Sequence, residues 1–203
     1  MLDVMLIDDH PMLNYGLASC LEETGRFNVS GQAKSLNDAR HHLENSETLP
    51  SLIILDIMLG EENGLEFLPY LETYCKKRKI KKPQVLICSV LEDPFRIRTA
   101  LKIGACGYVS KTSSKNELLK AIDTVLGGTV FVSEKHHLIL EESSNLYSQF
   151  TKRELEILNL IKQNKSNQEI SALLKISLRT VENHISNIYF KTGIEKRQDL
   201  LKI

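Results

Sequence analysis

Five short apolar runs, each followed by a segment of helical periodicity, constrain this chain more than any other feature. The runs are 3–8 (DVMLID), 28–33, 51–56 (SLIILD), 84–89 (QVLICS) and 106–110 (CGYVS). Most are rich in Val, Ile and Leu and show no polar alternation, so they read as strands covered on both faces, as in a parallel sheet. Helical patterns follow at 11–23, 36–46, 65–79, 93–103 and 114–127, the last opened by Ser114 and Glu117 as a capping box. Parallel neighbours need long crossovers, and right-handed crossovers place helices on both faces of the sheet. The expectation for residues 1–127 is therefore an α/β doubly wound domain on a five-stranded parallel sheet. Ligands of such sheets bind beyond the carboxyl ends of the strands, at the switch point of strand order.

The pattern breaks at Gly127–Gly128. Residues 128–147 read as a linker with a short helix near 134–141. Residues 148–203 are helix and turn throughout, a small all-α domain. Thr151 with Glu154 and Ser166 with Glu169 form capping boxes. Leu155, Leu158 and Ile161 make one helical stripe, and Asn164 falls where a left-handed residue ends that helix. A second helix is expected over 167–174, and a third over 178–191 with Val181, Ile185 and Ile188 turned inward. A fourth starts near Glu195. Two short helices joined through Lys175–Ser177 are the signature of a helix-turn-helix. The 26 basic and 26 acidic residues cancel, but 10 basic and 6 acidic ones lie from 148 onward, against 16 and 20 before it. That asymmetry points the C-terminal domain towards a polyanion.

Several classes are excluded. No run of ~18 uncharged apolar residues exists to span a bilayer. The opening MLDVMLIDDHPML lacks the basic start and unbroken apolar core of a signal peptide. The four cysteines form no CxxC pair, which argues against a zinc site or a redox dithiol. A cytoplasmic protein with reduced thiols and no membrane partner is expected.

The first domain carries a set of reactive groups at its strand ends. Strand one ends at Asp8 and Asp9 and strand three at Asp56, so three carboxylates converge on one sheet edge. Close like charges cost several kcal/mol at an effective dielectric of about 20. A hard cation removes that cost, and Mg²⁺ suits one or two carboxylates with water and a phosphoryl oxygen. Ser89 ends strand four, and Lys111 follows strand five with a compact positive charge. These groups suit phosphoryl transfer involving a carboxylate. Each taken singly has a plainer reading: Asp9 as a helix cap, Lys111 as a solvated lysine.

The segments LIDDHP, LIILDIMLGEENGLE, LICSV and GACGYVSK resemble the receiver domain of two-component response regulators, over about residues 1–127. The resemblance implies a flavodoxin-like fold with Asp56 as phosphoacceptor. It implies Mg²⁺ held by Asp9 and Asp56, by the Met58 backbone carbonyl, and by Asp8 largely through water. It makes Ser89 and Lys111 the groups that sense the phosphoryl oxygen, and Tyr108 the aromatic that moves on activation. It implies no catalysis beyond self-phosphorylation and autodephosphorylation at Asp56. Two positions depart from the family: Gly60 stands where proline is usual, loosening the loop, and Val90 where a small residue is usual, crowding access to Asp56.

The tail FTKRELEILNLIKQNKSNQEISALLKISLRTVENHISNIYFKTGIEKR resembles the LuxR-type DNA-binding domain of the NarL/FixJ regulators, over about residues 148–203. In that family the third helix enters the major groove. Arg179, Glu182, Asn183, Ser186 and Asn187 face outward from it, and Thr180 joins them at its start. Asn183 suits adenine and Glu182 suits cytosine N4, unless Glu182 pairs with Arg179 instead. Lys165, Arg179 and Lys191 are the expected phosphate contacts. The implied partners are a sensor histidine kinase, promoter DNA, a second copy of the chain when phosphorylated, and RNA polymerase as a further contact.

Other functions fit less well. A metal-dependent phosphohydrolase wants an acid two residues after the nucleophile, where this chain has Met58. A flavodoxin-like cofactor binder wants amides and hydroxyls in its first loop, where this chain has DDHPML. A DNA-binding regulator with a purely structural receiver stays open. The pairs His41–His42 and His136–His137 lack the i, i+4 spacing of helical metal ligands.

Overall fold

The protein is described here from a computed structural model, covering residues 1–147, 149–194 and 196–202, with side chains over 1–141, 149–194 and 196–201. The chain forms two units, Met1–His136 and His137–Ile203.

The first unit is the expected βα alternation: β1 (Leu2–Ile7), α1 (Pro11–Glu22), β2 (Phe27–Ala33), α2 (Leu36–Asn45), β3 (Leu52–Leu55), α3 (Phe67–Arg78), β6 (Gln84–Ser89), α4 (Pro94–Lys102), β7 (Gly107–Ser110) and α5 (Lys115–Leu126). A small hairpin, β4 (Met58–Leu59) with β5 (Glu62–Asn63), lies between β3 and α3. Side chains alternate across the sheet. Val4, Leu6, Leu52, Ile54, Leu86 and Cys88 pack with Leu21 of α1 and Ile122 of α5, while Met5, Ile7, Ile53, Leu55 and Ile87 are equally buried between them. Both faces of these central strands are therefore apolar, which is why the runs of β1, β3 and β6 show no polar alternation, whereas β2 exposes Asn28, Ser30 and Gln32.

The sheet has six strands, not five, in the order β2-β1-β3-β6-β7-β8, all parallel. The sixth, β8 (Phe131–Val132), lies in the segment read from sequence as linker. Two residues are too few for a periodic signal. They extend the edge because Phe131 buries against the α5 side of the core and its N–H donates to the Cys106 carbonyl at 3.0 Å. The helix that follows, α6 (Glu134–Tyr147), is longer than the 134–141 expected.

Helix starts follow side-chain chemistry. Ser35 accepts from the Asp38 amide, Asp93 from those of Phe95 and Arg96, and Ser114 from that of Glu117. In the second unit α7 (Lys152–Lys162) and α8 (Asn167–Leu174) open with the two complete capping boxes, and α9 (Leu178–Thr192) is capped by Ser177. Asn164 adopts the left-handed conformation expected of it, with φ 58°. The three helices enclose Ile157, Leu158, Ile161, Ile170, Val181, Ile185 and Ile188. The expected fourth helix starts at a position outside the described residues; Asp199–Lys202 form a 3₁₀ turn.

Candidate functional site

The strand order reverses between β1 and β3, so the loops after these two strands flank the switch point where ligands bind. Asp8 and Asp9 follow β1, and Asp56 follows β3. Ser89 is the last residue of β6, and Lys111 follows β7. The Lys111 ammonium bridges two of the acids, 2.6 Å from Asp8 Oδ2 and 2.7 Å from Asp56 Oδ2. All three side chains are buried, so each charge depends on the others. Burial works to lower the Lys111 pKa, but the hydrogen bonds and charges of Asp56 and Asp8 outweigh it and hold it above the usual lysine value.

The backbone fixes these carboxylates. Asn14 of α1 donates to the Asp8 carbonyl at 2.8 Å, and the His10 amide donates to Asp8 Oδ1 at 2.9 Å. Asp56 Oδ1 accepts from the Met58 amide at 3.2 Å. Asp9 does not cap α1; its Oδ2 accepts the Gly60 amide at 2.9 Å. Gly60 is the first of two residues closing the β4–β5 hairpin and has φ 60°, the pattern of a type II′ turn. Proline, the usual family residue here, has neither that φ nor an N–H. The departure at position 60 therefore creates a hydrogen bond to Asp9.

Oxygens of Asp8, Asp9 and Asp56 and a ring nitrogen of His10 lie within 4.8 Å of one another. Asp9 Oδ1 is buried and stands 2.8 Å from His10 Nδ1 without the alignment of a hydrogen bond. That leaves a buried carboxylate oxygen without a hydrogen bond in a residue of the acidic cluster, the donor chemistry a hard divalent cation takes. A cavity of about 450 Å³ opens onto the cluster, lined by His10, Met12, Leu13, Asp56, Met58, Val90 and Lys111. Apart from Asp56, Lys111 and His10, its wall is apolar.

Ser89 and Tyr108 are both fully buried. The Ser89 hydroxyl accepts from the Leu91 amide at 3.4 Å, and the Tyr108 hydroxyl donates to the Leu91 carbonyl. Burial pushes the Tyr108 phenol well above the usual tyrosine range.

In the second unit α9 turns Val181, Ile185 and Ile188 to the core and leaves Arg179, Glu182, Asn183, Ser186 and Asn187 exposed. Neither Arg179 nor Glu182 has an ion-pair partner among the described residues, so the pair suggested by their spacing is not formed. Thr180 is half-buried, its hydroxyl 2.7 Å from that of Ser177. Lys165 pairs with Glu169 at 3.3 Å. The Lys191 ammonium lies 2.6 Å from the buried Glu154 carboxylate. Phe190 is 90% exposed on the same outer stripe, an aromatic that helical periodicity alone does not single out. For His136 the sequence offers only the question of metal binding. It is buried against Tyr108, a contact that no local pattern signals because β8 creates it.

Comparison with known proteins agrees with both units. Residues 4–123 match the family model of the response regulator receiver domain, and residues 148–203 that of bacterial regulatory proteins of the LuxR family. The response regulator protein VraR of Staphylococcus saprophyticus is 33% identical over 199 residues, spanning 96% of this chain and 91% of VraR. VraR of Staphylococcus aureus is 32% identical over 198 residues with the same shares. The structure of RcsB from Salmonella enterica serovar Typhimurium, bound to promoter rprA in the presence of the phosphomimetic BeF₃⁻, aligns over 99% of this chain and 96% of RcsB. Its TM-score is 0.70 at 20% identity, a likeness of fold.

Proposed function

The chain belongs to the two-component response regulators that join a receiver domain to a LuxR-family DNA-binding domain, and from that premise we propose that phosphoryl transfer to Asp56 controls its binding to promoter DNA. The observation that carries this reading is the Lys111 ammonium bridging Asp8 and Asp56 at the switch point, with Asp9 beside them. The phosphoryl source is a sensor histidine kinase. An Asp56 carboxylate oxygen bonds to phosphorus as the P–N bond of the kinase phosphohistidine breaks. The electron pair leaves with the imidazole nitrogen, which takes up a proton.

Asp9, Asp56 and the Met58 carbonyl would hold Mg²⁺, with Asp8 acting through water. The ion supplies charge neutralisation between the carboxylates and the phosphoryl oxygens. Lys111 contributes the same at a second oxygen, and the Ser89 hydroxyl donates to a third. The apolar wall of Met12, Met58 and Val90 limits the approach of water, so the acyl phosphate persists.

The α9 face reads DNA. Asn183 and Glu182 meet base edges, Ser186, Asn187 and Thr180 flank them, and Arg179 and Lys165 contact phosphates. Lys191 reaches a phosphate by sharing its three N–H donors between DNA and Glu154. Single half-sites carry little specificity, so the phosphorylated form binds two of them as a dimer.

The test is incubation with a small phosphodonor and Mg²⁺, reading intact mass and DNA affinity together. The expected result is one phosphoryl group gained and tighter binding, both lost in Asp56→Asn and on chelation with EDTA. A mass gain that survives either treatment refutes Asp56 or the metal. Unaltered DNA affinity on phosphorylation favours a structural receiver instead.

A further inference from the structure

His136 is the one histidine among the described residues with no exposed surface, and neither ring nitrogen has a hydrogen-bond partner. Buried polar groups are almost always satisfied, so an imidazole left in this state needs a reason. Its surroundings supply one. The ring meets Tyr108 edge to face, with centroids 5.2 Å apart and planes at 89°. Its Nε2 stands 4.0 Å from the Glu92 carboxylate, beyond hydrogen-bond reach. The neighbouring Lys135 pairs with the other Glu92 oxygen. The His136 amide is held by the Ser133 hydroxyl at 3.3 Å, and Val132 is paired with Tyr108 across the β7–β8 ladder.

These contacts make a continuous path from the phosphoryl-sensing hydroxyl to the helix that leads into the second unit. Ser89 Oγ holds the Leu91 amide, the Leu91 carbonyl holds the Tyr108 hydroxyl, and the Tyr108 ring packs on His136 in the first turn of α6. A parallel path runs through Glu92, next in the same loop, to Lys135. If Ser89 turns towards a phosphoryl oxygen, its bond to Leu91 is released and the two anchors of α6 are disturbed together. Tyr108 is fully buried, so it cannot shift without either moving the His136 ring or opening a void.

We propose that His136 is a positioning residue that holds Tyr108 in its inward place and ties the first turn of α6 to the state of the Ser89–Leu91–Glu92 loop. This rests on the phosphorylation-controlled reading above and names the element through which control leaves the receiver. An imidazole whose nitrogens make no well-aligned hydrogen bond suits the task. It fills the space against Tyr108 while leaving no strong bond that would lock α6 in one state. Burial lowers the pKa of the ring, against the opposing pull of Glu92 and of the Tyr108 backbone, and Lys135 and Glu117 are the other charged groups that face it.

Spatial adjacency alone does not establish coupling, so the test measures the coupling itself. The full chain is titrated with a duplex selected by its phosphorylated form from a random pool, with and without phosphodonor. The ratio of the two affinities is then read for the native chain, His136→Leu, Lys135→Ala and the double variant. Intact mass follows Asp56 phosphorylation in each. Hydrogen exchange of amides 134–140 reports on α6.

The expected result is normal phosphorylation in all four. The affinity ratio falls to within about two-fold of one in His136→Leu and falls partway in Lys135→Ala, with the double variant no worse than His136→Leu. In the native chain phosphorylation changes exchange over 134–140, and in His136→Leu it does not. A purely structural role would weaken folding but leave the ratio intact. Lys135→Ala, at a largely exposed position, keeps the test decisive if His136→Leu does not fold. Native ratios in the folded variants overturn the proposal. A native chain with no ratio to lose overturns the phosphorylation reading instead.

Discussion

Gly64 shows how tightly the loop after Asp56 is built. A Cβ on this residue would lie 2.0 Å from the Asp56 carbonyl oxygen, and its amide already donates to the Ile57 carbonyl at 2.7 Å. Backbone has no rotamer with which to yield, so Gly64→Ala displaces the chain at Asp56. The expected outcome is a loss of roughly 1–3 kcal/mol in urea unfolding together with sharply slower phosphorylation by a small phosphodonor. Native phosphorylation kinetics in that variant would show that the loop adapts. The residues Asp8, Asp9, Asp56, Ser89 and Lys111 could be named from sequence because each stands at a strand end, and a strand end is visible as the last residue of an apolar run. Gly64 could not be singled out among ten glycines, since its role comes from a through-space approach to Asp56.

At the scale of elements, α9 packs one face on the core and in the proposed function offers the other to DNA, and Lys191 sits where they meet. Its partner Glu154 is 3% exposed at the side chain and also closes the capping box of α7, accepting the Thr151 amide at 2.7 Å. Lys191→Ala therefore leaves a buried carboxylate short of a partner. Losing one member of a fully buried pair costs about 3–5 kcal/mol; Lys191 is a quarter exposed, so roughly 1–3 kcal/mol is expected here. The same variant should weaken binding to all DNA sequences alike. Burial raises the Glu154 pKa, but the hydrogen bonds of Lys191 and Thr151 outweigh it and hold the group below its ordinary 4.5. The folded form thus binds this proton less readily than the unfolded one. Its contribution is complete above pH 4.5 and disappears as pH falls through the lower folded value. Thermal unfolding of residues 148–203 against pH should show that acid loss, and Glu154→Gln should flatten it. The pattern of α7, α8 and α9 was readable because caps and apolar stripes are local. The Lys191–Glu154 pair was not, because its members stand 37 residues apart.

For the whole molecule, two modules on one chain predict a change of assembly with phosphorylation. Analytical ultracentrifugation should show a shift from monomer towards dimer with phosphodonor and Mg²⁺, and footprinting should show two half-sites protected together. A monomer protecting one half-site in both conditions would contradict the switch. Removing residues 1–147 should leave weak, strongly salt-dependent binding that no phosphodonor alters. The sequence by itself determined the two modules, the parallel sheet, the convergence of acids at its edge and the outward stripe of α9. Each of these follows from periodicity, capping or composition within a short window, where the chain's own covalent spacing sets the geometry. Only the tertiary structure decided that Phe131–Val132 would become a sixth strand, that Gly60 would hold Asp9, and that His136 would close against Tyr108. Those outcomes depend on which distant surfaces remain to be buried and which amides remain to be paired once the sheet has formed, and no local pattern encodes that remainder.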